Sequence, residues 1–320
     1  MKSSNEKLIE LNFDPNYFVV FNVENSESFF FGKDPDNNII FLIKPDDISS
    51  NISANSSRGK FLDIYFNTTC EFKINGNTNI GEFTLLTLKT DNSLMQNIFV
   101  SLCNELIELI GEKPSYNRVI DVVKGLRELF MNFLRPAIND EIGLWGELFV
   151  ILKANNIENA IDSWHINSSD TFDFNDGSNK MEVKTTTKNE RIHSISLNQI
   201  LKSIETESLI CSIMTSKIDL GLSVFDLKEN IALKINAVYK HKLNEKVTIS
   251  IGDKWLEFTN KYDYLTAENS MSYYNAIDVP KIDPICIDPK VSNVKFNINL
   301  ETTQKIDILH ARNTCLYLPS

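Results

Sequence analysis

Residues 171 to 188 limit how this chain can fold more tightly than any other stretch. The two ends of the stretch alternate apolar and polar residues as strands do, and Asp176-Gly177 between them is a strong hairpin signal. With a four-residue loop from Asp176 to Asn179, Asn175 pairs with Lys180, and the ladder running outward puts Asp173 opposite Glu182. Side chains alternate between faces along a strand, so Glu182 and Lys184 share the face of Asp173, whereas Phe172, Phe174, Met181 and Val183 point the other way. One face of the hairpin is apolar and the other carries chemistry.

Two carboxylates opposed across a ladder destabilise it and push each other toward protonation unless positive charge lies between them. A hard divalent cation with oxygen ligands meets that need. The ammonium of Lys184 on the same face is placed to steady charge that develops on a phosphate. An aspartate followed after eight residues by Glu-x-Lys resembles the active-site motif of the PD-(D/E)xK nuclease superfamily. The same pattern also fits a solvated strand face, so the surroundings must decide.

At 320 residues, 42% of them hydrophobic, the chain has material for two domains or for one large domain with additions. The expected division is a β-rich domain ending in a helix over residues 1–112, then a second domain over 113–320. No charged start followed by an apolar run opens the sequence. The most apolar stretch, Ile142 to Leu152, is too short to span a bilayer and contains Glu147. The expectation is a soluble, cytoplasmic protein without a membrane partner. Five scattered cysteines with no Cys-x-x-Cys pair argue against both a disulfide framework and a zinc site. A net charge of -11 repels nucleic acid, so any DNA contact must rest on local basic patches.

Runs at Tyr17 to Val23, Ser28 to Phe31, Ile39 to Ile43, Phe61 to Phe66 and Phe83 to Leu88 read as strands, and residues 50 to 58 as a long exposed loop. Leu94, Ile98, Leu102, Leu106 and Leu109 then recur at helical spacing, with Gly111 as a stop. A second helix is expected from about Ser115 to Leu134, with Arg118, Lys124 and Arg127 off its buried stripe. A third runs from Glu141 to Ala154 and is apolar nearly all round. Gly143 and Gly146 suit close approach to a sheet. Glu147 is an ionisable group in an apolar helix and needs a partner.

A strand near Asp162 to Ile166, the hairpin, a helix from Leu197 to Glu205 and a strand from Leu209 to Met214 complete an α-β-β-β-α-β order. Beyond it, the reading is a strand from Leu220 to Phe225, a helix from Asp226 through Tyr239, and strands at Val247 to Ile251, Tyr273 to Val279 and Val294 to Leu300. Trp255, Phe258, Tyr262 and Tyr264 read as packing. Thr185, Thr186, Lys188, Arg191 and His193 leave the motif strand where hydroxyls and cations can meet phosphate oxygens. His193 reads as a surface or capping histidine rather than a metal ligand.

Gly-Leu-Trp-Gly-Glu-Leu at 143–148, Phe-Asp-Phe at 172–174, Glu-Val-Lys-Thr-Thr at 182–186 and His-Ser-Ile-Ser-Leu-Asn-Gln at 193–199 resemble a stand-alone bacterial PD-(D/E)xK family found beside restriction and phage-defence genes. Val-Pro-Lys-Ile at 279–282 is similar to that family's tail. Phe172 stands where the superfamily often has a proline. The resemblance implies an α/β fold with a mixed sheet, a restriction-endonuclease-like core behind the β-rich region, and magnesium-dependent endonuclease activity in restriction or phage defence. Asp173, Glu182 and the main-chain carbonyl of Val183 would bind Mg2+, with Mn2+ as the alternative ion. Lys184 would position or deprotonate the attacking water, and Glu147 would be an accessory ligand. Gln199 resembles a glutamine that orients the lysine or a substrate phosphate. DNA is the expected partner, with other defence proteins and a second copy of the chain as further candidates. The competing readings are a non-cleaving nucleic-acid-binding or scaffolding subunit, and an RNA or branched-DNA nuclease.

Overall fold

Strand pairing in the first part of the chain turns on Asn75 and Gly76, both at positive φ (50° and 83°), which close a two-residue hairpin loop. The computed structural model describes residues 3–24, 26–47, 55–166, 172–206, 208–288 and 290–306. They form two compact units, Met1–Met131 and Asn132–Ser320.

In the first unit, α1 (Ser4–Glu10) precedes β1 (Phe18–Asn22), β2 (Phe29–Lys33), β3 (Ile39–Ile43), β4 (Ser57–Arg58), β5 (Leu62–Ile74) and β6 (Asn77–Leu88). These strands form one sheet in the order β1-β2-β3-β6-β5-β4, and a parallel pairing of β1 with β5 at Phe18 and Phe72 closes it on itself. Phe30, Ile40, Leu42, Phe72 and Phe83 fill one side of it. Gly32 permits the close approach of β1 to β2, since a Cβ there would lie 2.2 Å from the carbonyl oxygen of Val19.

Strands β5 and β6 run well past the expected apolar segments into the exposed arm around Asn75-Gly76. Their polar outer residues hid that extension. The expected loop at 50–58 ends in β4, and its residues 50–54 lie outside the described residues. Helices α2 (Ser93–Ile110) and α3 (Tyr116–Asn132) follow as the helical spacing requires, with Gly111 at φ 83° ending α2.

The second unit contains α4 (Glu141–Lys153), α5 (Ile157–Ser163), β7 (Phe174–Asn175), β8 (Lys180–Thr186), β9 (Ile192–Ser196), α6 (Leu197–Glu205), β10 (Leu209–Met214), β11 (Lys217–Leu222), α7 (Val224–Ala232), α8 (Ala237–Ile251), α9 (Tyr264–Ser270), β12 (Ser272–Asn275) and β13 (Lys295–Asn299). A mixed sheet has the order β12-β10-β8-β7, with β8 parallel to β10 and antiparallel to β7. Strands β9 and β13 pair separately. The fold is mixed α/β with a β-rich N-terminal region, as expected.

Several expected elements are different. The segment 162–166 is not a strand: Asn156 caps α5, and only Trp164 and His165 run extended beside Phe174 and Asp173. The helix expected from Asp226 through Tyr239 is two helices, each with its own cap, Ser223 and Asn236. The segment 247–251 is the end of α8 rather than a strand. Its β-branched residues misled, while Leu243, Val247 and Ile251 form a buried stripe at helical spacing. The strand expected from Tyr273 stops at Asn275 and gives way to a 3-10 turn at Ala276–Asp278.

Trp255, Phe258 and Tyr262 are buried packing residues. Cys70, Cys103 and Cys211 are buried and Cys286 is exposed, all four outside any disulfide, while Cys315 lies outside the described residues. Among the described residues no helix is long and apolar enough to cross a membrane.

Candidate active site

The hairpin has the register that its turn chemistry demands. Asn175 pairs with Lys180 and Phe174 with Met181, and Gly177 takes the left-handed turn position at φ 93°. The Asp176 carboxylate holds the loop by accepting from the N–H groups of Ser178 (2.9 Å) and Asn179 (2.6 Å). Phe172, Phe174, Met181 and Val183 are all buried, as their shared face requires.

The ladder itself stops at Phe174, one residue short of Asp173. Asp173 Oδ2 takes the donor that would have continued it, accepting from the Val183 N–H at 2.7 Å, and the Asp173 carbonyl accepts from the His165 N–H at 2.7 Å. Asp173 is therefore set against β8 by its own carboxylate.

Glu182 is only 2% exposed on the central strand β8. Its Oε1 accepts from Gln199 Nε2 at 2.5 Å and from Lys184 Nζ at 2.7 Å, while the buried Oε2 has no partner. Burial, then the neighbouring Asp173, pushes the Glu182 carboxyl up to about 8. Burial also raises Asp173, against the pull of Lys184 and the Val183 N–H. Burial works against the Lys184 ammonium, but Glu182 and Asp173 outweigh it and hold the group above its usual range.

Glu147 reaches the same pocket from α4. Asp140 caps this helix by accepting from the Gly143 N–H at 2.8 Å, which is the role of Gly143: a Cβ there would meet that cap and not the sheet. Gly146 is the close-approach residue, because a Cβ on it would lie 1.8 Å from Thr185 Oγ1 on β8. Glu147 is buried and accepts from Trp164 Nε1 at 2.7 Å and from Asn139 Nδ2 at 2.9 and 3.1 Å. Burial and the proximity of Asp173 push its carboxyl well above the ordinary range.

Glu147, Asp173, Glu182, Val183, Lys184, Thr185 and His193 line one pocket of about 310 Å³. Gln199 stands behind it and holds Glu182, not the lysine. Thr185 Oγ1 is buried without a partner. The other flanking residues are not brought to the pocket. Thr186 is buried and its hydroxyl accepts from the Lys188 N–H, closing a local turn. Lys188 is exposed.

Arg191 is buried, and its guanidinium donates to the Ser212 carbonyl (3.0 Å), Ser212 Oγ (2.9 Å) and the Ser270 carbonyl (2.6 Å), tying the start of β9 to β10 and to the end of α9. His193 is buried rather than at the surface, with Nε2 at 2.7 Å from Ser212 Oγ. Burial, with Lys184 and Arg191 nearby, pulls its pKa down to about 4. Asn139 and Trp164, the donors to Glu147, were missed in the sequence, because neither lies at a spacing that relates it to the motif.

The pocket thus gathers the carboxylates of Glu147, Asp173 and Glu182 with one ammonium, and the Asp140 cap lies on its rim. Among the described residues, no three His, Cys, Asp or Glu side chains form a ready-made cation cage. Comparison with curated proteins and with solved structures finds no match. Residues 12–301 match the family described as "Putative PD-(D/E)XK family member, (DUF4420)", and the chain belongs to that family.

Proposed function

We propose that the protein is a divalent-metal-dependent DNA endonuclease that hydrolyses phosphodiester bonds. The observation that carries this reading is the state of Glu182. It is a buried carboxylate with one oxygen unpartnered, facing Asp173 and Lys184 in a pocket where burial raises Asp173, Glu182 and Glu147, and the charge of Asp173 adds to the rise of the two glutamates. A hard cation fits that donor set, since it would satisfy the orphaned oxygen and relieve the repulsion. In this reading Asp173, Glu182 and the main-chain carbonyl of Val183 hold Mg2+ or Mn2+, and Glu147 is an accessory acidic residue. When bound, the ion supplies Lewis-acid polarisation and a more acidic water.

Lys184 keeps its proton, because two carboxylates hold its pKa up. This favours steadying charge on the phosphate, and orienting the water, over deprotonating that water. Gln199 fixes Glu182 on the face where it is needed. The resemblance of the motif blocks to proteins encoded beside restriction and phage-defence genes supports a role in host defence, in the cytoplasm.

The test is cleavage of methylated and unmethylated plasmid across a magnesium titration, with RNA and branched DNA in parallel, comparing wild type with Lys184→Met. Loss of cutting in the variant alone is the expected result, and the substrate that is cut settles the nucleic-acid class. Equal cutting by both proteins would assign the activity elsewhere. No cutting under any condition would favour a non-cleaving binding subunit.

A further inference from the structure

Helix α8 contacts α5 and the segments around Asn139 and Trp164, the two residues that donate to Glu147. At one end, Asn236 Nδ2 donates to Glu158 on α5 at 2.8 Å, and Tyr239 Oη (2.9 Å) and Lys242 Nζ (2.6 Å) grip Asp162 on the same helix. One turn further, Lys246 Nζ donates to the carbonyl of Ile161 at 2.7 Å and to that of Trp164. These are carbonyls that the end of α5 leaves without intrahelical donors. At the far end of α8, the Ser250 carbonyl accepts from the N–H groups of Ile138 (3.1 Å) and Asn139 (3.3 Å).

The segment that Lys246 grips is the one that touches the site. Trp164 gives its indole N–H to the Glu147 carboxylate, and the next residue, His165, gives its main-chain N–H to the main-chain carbonyl of Asp173. Asn139, whose backbone α8 also holds, supplies the other donor to Glu147. We propose that Lys246 is a positioning residue for the carboxylate pocket: docked on the carbonyls of Ile161 and Trp164, it fixes the two-residue segment whose N–H groups hold Glu147 and Asp173. The ammonium lies 5.8 Å from the Trp164 ring centroid, so it also bears on the ring that carries the donor. Burial of a cation against neutral carbonyls is costly unless those contacts are made, and here they are made at the place that orients the site.

The effect on cation binding rests on the function proposed above. The effect on Trp164 does not. The experiment therefore has two readouts, made on the full chain with Lys246→Met, Lys246→Arg and Trp164→Phe. The chain has three tryptophans, and the indole N–H resonance that disappears in Trp164→Phe identifies Trp164. In wild type that proton should be protected from solvent exchange. Lys246→Met should speed its exchange roughly 10-fold or more while the other two indole signals stay in place, and Lys246→Arg, which can reach the same carbonyls, should keep the protection.

Mn2+ titration should show affinity reduced roughly 10-fold in both Lys246→Met and Trp164→Phe, the lower end for loss of outer support at a metal site. Unchanged Trp164 exchange in Lys246→Met overturns the proposal, as does unchanged Mn2+ affinity in a protein whose wild type binds the ion. A wild type that binds no cation would sink the metal reading of the pocket, and the indole exchange would still decide the role of Lys246. If Lys246→Met does not fold, the Lys246→Arg and Trp164→Phe pair decides. Loss of indole protection in the arginine variant then counts against the proposal, and retained protection with weakened Mn2+ binding in Trp164→Phe supports it.

Discussion

Glu182 bonds to a glutamine and a lysine through one oxygen and leaves the other bare, so each change at it or beside it should have its own signature. Lys184→Met keeps the aliphatic stem and opens no core cavity. It should cost ~10²-fold or more in cleavage rate with folding intact, measured on a gel and by thermal melting. Glu182→Ala should instead weaken the cation, so raised magnesium should recover part of its activity and none of the lysine variant's.

The raised pKa of Glu182 also gives a stability signature. A carboxyl at about 8 in the folded state, against 4.5 unfolded, stabilises the cation-free protein fully below pH 4.5, and that contribution is lost as the pH rises through 8. Melting temperature in EDTA should therefore fall across that window, Glu182→Gln should flatten the fall, and Mg2+ should oppose it. A wild-type curve that rises over the same range would remove the basis for this account. At this scale the sequence was most legible on β8, where a period of two sorted Glu182 and Lys184 from Met181 and Val183. It was least legible at Asn139 and Trp164, which a turn and the end of a helix bring to Glu147.

Between elements, the contact of α4 with β8 decides where Glu147 sits, and Gly146 decides that contact. Gly146→Ala should force the helix away from Thr185, with a stability loss of about 1–3 kcal/mol and weaker cation binding, checked by denaturant melts and Mn2+ titration. Adding Thr185→Ala should recover part of the stability, since it removes the hydroxyl nearest the new methyl. Full stability in the single variant would mean that the helix has room that the structure denies it. Helices α2 and α3 were readable from long apolar stripes at helical spacing, and α4 from a capped run that is apolar nearly all round. Helix α8 departs from the expectation because Val247, Thr248, Ile249 and Ile251 carry strand propensity, while Val247 and Ile251 lie with Leu243 on a buried helical stripe. The strand expected at 162–166 shrank to a bridge because Asn156 starts a helix just before it.

Over the whole molecule the charge is -11 and the pocket is lined by carboxylates, so in the proposed function the cation and Lys184 would be the local counterweight to DNA repulsion. Every residue lining that pocket belongs to the unit Asn132–Ser320. A fragment beginning at Asn132 is expected to bind Mn2+ within a few-fold of the full chain, measured by calorimetry, and a fragment that folds but does not bind would show that the site needs the first unit. The buried thiols have a kinetic consequence. Cys70 and Cys103 lie in the first unit and Cys211 lies on β10 of the second, each at most 1% exposed. A thiol reagent must wait for each unit to open before it reacts. The order in which mass spectrometry finds these three sites labelled will therefore tell whether the two units unfold in one step or in two, using reporters the chain already carries.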